Sequence, residues 1–195
     1  MKTLNLFLLT IAVAGTFQAC SSHKTSAAGD SSTTTKTDTT KVTTVKTDSS
    51  ASVLADTTFA AKAAVGGMAE VALGKMAAAK STDSKIKDFG NMMVMDHGKA
   101  NADLMSIAKS KNIMLPTGLD AEHQAKSDNL SKLSGKDFDV AYVNAMIEGH
   151  KKTLALMQSE AAIGKDADLK AFATKTAPVV QAHLSKIQQI HDSMK

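Results

Sequence analysis

From residue 56 onward the apolar positions of the chain recur every three to four residues. That is the spacing of one face of an α-helix, which turns roughly 100° per residue. Four long stretches carry this period, at about 57–80, 84–111, 137–163 and 167–194, with a shorter one at about 119–133. Breaks between them are marked by turn and capping residues. Asp56 stands as an N-cap before an Ala-rich run, and Ser81-Thr82-Asp83 ends the first stretch and caps the second. Asn112 to Gly118, with Pro116, reads as a loop, Ser134-Gly135 as a turn, Gly164 as a stop and Asp166 as the last cap. Pro178 falls inside the final stretch and predicts a kink. Two helical hairpins joined by a longer connection describe an all-α four-helix bundle with an extra short helix between its second and third members. Met68-Ala-Glu70 echoes Met146-Ile-Glu148, and Ile86/Phe89 echoes Leu169/Phe172, a weak trace of a duplicated hairpin.

The same period says which polar residues point inward. Ile86, Phe89, Met93, Ala100, Leu104 and Ile107 share a face, and His97 falls in it with Asp96 at its edge. Tyr142, Val143, Met146, Leu154 and Met157 share another, with His150 near its centre and Glu148 nearly opposite. His183 lies among Leu169, Phe172, Val180, Ile187 and Ile190, and Glu70 lies on the line of Phe59, Gly66, Leu73 and Ala77. At about 1.5 Å per residue, each hairpin sets its two polar members about one turn apart, near the middle of the bundle. Imidazole and carboxylate suit Fe, Zn, Mn or Cu, and metal sites in bundles are built from side chains on facing helices. The candidate ligands are therefore His97, His150 and His183, with Glu70 and Asp96 as lesser members. His123, on the short helix, either caps one end or joins the group. Met92-Met93-x-Met95-x-His97 also sets thioethers beside an imidazole, a Cu(I) environment. The competing reading is structural, with each imidazole neutral and hydrogen-bonded in the core.

Before residue 56 the pattern changes. Lys2 precedes an apolar run from Leu4 to Ala14, too short to span a bilayer but fitting a secretory leader. Ala19-Cys20 then resembles the lipobox of bacterial lipoproteins, although Phe17 and Gln18 stand where Leu and a small residue are usual. Cleavage before Cys20 would lipidate it and anchor the protein to a membrane facing the periplasm. Ser21 and Ser22, with no Asp beside the cysteine, favour the outer membrane by the enterobacterial sorting rule. Residues 20–55 are rich in Ser, Thr, Ala, Lys and Asp and are expected to be a disordered spacer, leaving 56–195 as the folded domain.

Composition narrows the function. Aromatic residues make up 4% of the 195, with Gly 11 and Pro 2, which disfavours sandwiches and barrels. One cysteine excludes an intrachain disulfide or a Cys-based zinc site. The net charge is +4 and every basic residue is Lys, which disfavours specific nucleic-acid readout, where Arg forks dominate. No phosphate loop, nucleophile elbow or HExxH helix occurs, so the chain reads more as a non-enzyme than an enzyme.

Several spaced motifs agree in order with one family. They are FAAKAAVGGMAEVAL (59–73), Met95-Asp96-His97, Leu115-Pro116 before His123-Gln124, and Leu133-Ser-Gly135-x-x-Phe138-Asp-x-x-Tyr142 through Met146 to His150. Leu169-Lys-x-Phe172-Ala, Pro178 and His183-Leu184 continue the series. The chain resembles bacterial domain-of-unknown-function family 4142, exported proteins often labelled outer-membrane proteins. The resemblance implies a ferritin-like bundle over about 56–190 and no established activity. A di-iron centre of the ferritin kind needs Glu-x-x-His on two helices. Here Val94 and Val180 occupy the Glu positions before His97 and His183, so a mononuclear site fits better than a di-metal enzyme. Two functions follow as expectations: an envelope lipoprotein holding a transition metal for metal handling or stress protection, or a non-catalytic structural or interaction module of the envelope, its protein partners undefined.

Overall fold

The computed structural model describes residues 47–194, which form five helices: α1 (Thr47–Lys80), α2 (Ser84–Ser110), α3 (Ala121–Ser131), α4 (Gly135–Ile163) and α5 (Ala167–Ser193). Cys20, the leader and the first part of the expected spacer lie outside the described residues. Four of the five helices start and stop within two or three residues of the sequence expectation. Asp83 caps α2 by accepting from Lys85 N at 2.7 Å, Asp120 caps α3 through His123 N at 2.9 Å, and Asp166 caps α5 through Asp168 N and Leu169 N. α5 runs unbroken through Pro178.

The exception is α1, which begins at Thr47 and not after Asp56. Residues 47–55, assigned to the spacer by composition, are its first turns, and their side chains from 50 to 55 are mostly exposed. Asp56 therefore sits mid-helix and does not cap α1. It is buried, and its carboxylate accepts from Lys165 N at 3.2 Å and Asp166 N at 2.9 Å in the α4–α5 turn. Its capping chemistry is used, but on a turn far away in sequence.

These contacts fix the topology. Asp56 meets the α4–α5 turn at one end, while Lys80 at the other end of α1 bonds Ser131 O and lies 5.4 Å over the Phe138 ring at the start of α4. α1 and α4 therefore run antiparallel, and the chain travels the length of the bundle between α2 and α4, carrying α3 across the α1/α4 side. Each helix packs on two neighbours in the order α1, α2, α5, α4, so the α1/α4 and α2/α5 sides are opposite faces. α1 and α2 approach backbone to backbone at Gly74 and Gly90. A Cβ on either would stand 2.6 Å from the other's carbonyl oxygen.

The interior is two dry clusters with a polar layer between them. One gathers Leu73, Phe89, Met93, Phe138, Tyr142 and Ile187; the other gathers Phe59, Ala63, Leu104, Met157, Leu169 and Phe172. Burial of these side chains supplies the main folding drive, at about 1.5–3 kcal/mol for each large one. Glu70, His97, His150 and His183 fall between the two clusters, and all four are buried. Among the described residues no helix is long and apolar enough to cross a membrane.

Candidate metal centre

Four helices each contribute to the polar layer: Glu70 from α1, His97 and Asp96 from α2, His150 from α4 and His183 from α5. One nitrogen from each of the three imidazoles lies within 4.8 Å of the others. Ring centroids stand 5.2 Å apart for His97–His183, 5.5 Å for His97–His150 and 5.6 Å for His150–His183. Phe89 closes one side, its centroid 5.9 Å from His150 and 6.4 Å from His183.

The outward nitrogens settle which way the lone pairs face. His97 Nδ1 is 2.9 Å from Glu70 Oε2, a close ion-pair contact although its N–H is not aimed squarely at the oxygen. His183 Nε2 is 2.9 Å from Asp96 Oδ2, and His150 Nδ1 is 2.8 Å from Met146 O, with Glu70 Oε1 at 3.6 Å. A carboxylate or a carbonyl accepts only, so each outward nitrogen is the N–H donor. What remains points inward: His97 Nε2 and His183 Nδ1, 3.3 Å apart, and His150 Nε2, buried with no hydrogen-bond partner. The His97–His183 separation is hydrogen-bonding distance, closed by a proton between the two nitrogens or by a cation in its place.

Electrostatics agree. Burial alone would raise the Glu70 pKa, but the neighbouring His97, then His150 and the Thr153 hydroxyl at 3.3 Å, hold it below its ordinary value. Burial pushes the His150 and His183 pKa values down. Glu70 opposes this at His150 and Asp96 at His183, while the other imidazoles reinforce it. Both rings are thus kept neutral, the form that ligates a metal. Burial also raises the pKa of Tyr142, assisted by Glu70.

Of the residues proposed from sequence, His97, His150, His183, Glu70 and Asp96 come together. His123 does not. It sits on α3 outside the bundle, its Nδ1 2.7 Å from Asp120 Oδ1, because the chain crosses there over the α1/α4 side. The methionines separate as well: Met93 is fully buried in an apolar cluster and Met95 is 69% exposed. Thr153 and the Met146 carbonyl were missed. The second has a local signal, since a buried imidazole can bond the carbonyl four residues back on its own helix; the first depends on how α1 and α4 are aligned.

Three buried imidazoles, each with an acceptor beside its outer nitrogen, in the core of a long-crossover four-helix bundle define the class: an all-helical protein with a convergent histidine cluster. The chain belongs to the domain of unknown function family DUF4142, whose model matches residues 40–190. Its structure is similar to the crystal structure of a DUF305 fragment from Deinococcus radiodurans, with a TM-score of 0.64 and 10% identity over 71% of this chain and 96% of that one. At that identity the likeness is one of fold. Among curated proteins none matches this chain.

Proposed function

We propose that the protein binds one first-row transition-metal ion, of the Fe, Cu or Zn class, through His97 Nε2, His150 Nε2 and His183 Nδ1. The observation that carries this reading is the set of three inward lone pairs, one of them an orphaned acceptor in the dry interior. Direct M–N bonds of 2.0–2.1 Å put ligand nitrogens about 3.4 Å apart. The His97–His183 pair already stands at 3.3 Å, and the 4.8 Å limit on the trio leaves about 1.4 Å at most to close. Glu70, Asp96 and the Met146 carbonyl supply the outer contacts that fix ring orientation and raise ligand basicity. The role would be metal handling or stress protection at the cell envelope, with a lipid anchor at Cys20. Support for that location is the leader-like run Leu4–Ala14 and the Ala19-Cys20 pair.

Elemental analysis and titration of chain purified without a chelating tag test the site. We expect about one ion per chain, and loss of binding at micromolar metal in His150→Ala. Absence of both copurified and titratable metal overturns the reading. The Glu70–His97 and Asp96–His183 contacts favour a second reading, in which the cluster only organises the core. It predicts that substituting these histidines lowers the thermal midpoint while the metal response of the parent is nil.

A further inference from the structure

The two opposite faces of the bundle offer unequal access to the histidines. On the α1/α4 side, under the α3 crossover, lies a cavity of about 630 Å³. Glu70 and Thr153 line it beside Met146, and its lining carries charges of both signs, Asp120 and Glu122 with Lys62, Lys126 and Lys152. At about 30 Å³ per liquid water this is room for roughly twenty waters, so a hydrated cation can reach Glu70 before shedding its shell. Two glycines keep the space beside Thr153 and Glu70 clear. A Cβ at Gly66 would lie 3.9 Å from Thr153 Oγ1, and one at Gly149 would lie 3.8 Å from Glu70 Oε1.

On the α2/α5 side the cavity, about 420 Å³, is lined by Asp103, Ile107, Phe172 and Lys175 and reaches none of the five cluster residues. Asp96 touches the surface there but meets a single imidazole, on the side of His183 away from the inward nitrogens. Glu70 differs. Its Oε1 is beside Thr153 and 3.6 Å from His150, its Oε2 is 2.9 Å from His97, and it straddles the gap between those two perpendicular rings.

We infer that the α1/α4 groove is the path by which the ion enters, and that Glu70 is the transfer ligand that takes it from water and hands it to the histidines. This rests on the metal-binding reading. The ion arrives hydrated, exchanges a water for Glu70 Oε1 in the groove, and is then handed on to the three inward nitrogens.

Stopped-flow uptake of Co²⁺ by the full metal-free chain, followed by its d–d absorption, tests the path. Gly66→Leu fills the groove above Thr153 without touching a ligand, and Ala145→Phe fills its wall as an independent plug. We expect each plug to slow association by about tenfold or more, with equilibrium affinity within about threefold of the parent because dissociation slows equally. Ser106→Phe, in the lining of the α2/α5 cavity, should leave the association rate within about twofold. Plugged variants that bind Co²⁺ at the parental rate overturn the path, as does a greater slowing by Ser106→Phe. A parent that binds no Co²⁺ overturns the site itself, and the path with it.

Discussion

Two buried glutamates, one at mid-bundle and one near its end, are driven in opposite directions by their neighbours. Glu70 is 4% exposed and Glu160 7%. Burial acts on both by disfavouring charge. At Glu70 the imidazoles of His97 and His150 and the Thr153 hydroxyl overcome it, and the pKa falls. At Glu160 burial is joined by the Asp56 and Asp166 carboxylates and a hydrogen bond with Asp56, opposed only by Lys170, and the pKa is pushed up to about 7. The Asp56 carboxylate accepts two backbone N–H groups, from Lys165 and Asp166. Gly164 permits this crowding: a Cβ there would lie 2.4 Å from Glu160 Oε1. Burial of a carboxylate is therefore not itself a sign of chemistry. The partners decide, and near the end of the bundle Asp56 is a structural latch joining α1 to the α4–α5 turn.

The largest expected effect separates the two glutamates by metal affinity. Glu70→Gln should weaken metal binding about 10–100-fold, as loss of an outer-contact carboxylate does. Glu160→Gln should leave it unchanged. Equal losses in titrations of both variants would erase the distinction.

Stability against pH gives the next contrast. The folded pKa of Glu160 lies above its ordinary 4.5, so its contribution is fully present below about 4.5 and is lost as pH rises through about 7. His150 and His183 act with the opposite sign: their contribution is present above about 6.5 and is lost as pH falls through their depressed values. Between about pH 4.5 and 6.5 the two contributions therefore slope in opposite senses, and above about pH 7 neither changes further. In thermal melts of the metal-free chain, Glu160→Gln should make the midpoint rise more steeply with pH across that window than it does in the parent. Parallel profiles for parent and variant would assign the slope to another group.

The smallest effect is within the histidine cluster. Asp96 is 39% exposed at its side chain whereas Glu70 is 5%, so Asp96→Asn should cost less metal affinity than Glu70→Gln, by several-fold. Reversal of that order in parallel titrations would make Asp96 the dominant outer partner.

Much of this was legible in the chain because helical periodicity is a local property. The apolar stripes placed His97, His150 and His183 on inward faces, and rise per residue set the polar pair of each hairpin about one turn apart near mid-bundle, which allowed their convergence without fixing it. What the periodicity could not carry was register between distant segments. Asp56 has the chemistry of a cap and was read as one for its own helix, whereas its acceptors are spent on Lys165 and Asp166. Glu160 gave no signal, since its shift arises first from burial and then from carboxylates that include Asp56 on another helix. His123 shares residue type with the trio, but the crossover that carries it runs outside the bundle, and no spacing along α3 reveals that.

The polar layer draws its members from four rods, beginning with Glu70 and ending with His183. An ion gripped there would rivet together stretches that have nothing to do with one another once the chain is unravelled. Each tenfold rise in free ion above the dissociation constant would then add about 1.4 kcal/mol to the folded state. The melting curve becomes a gauge of metal supply, readable without knowing what the molecule does with its cargo.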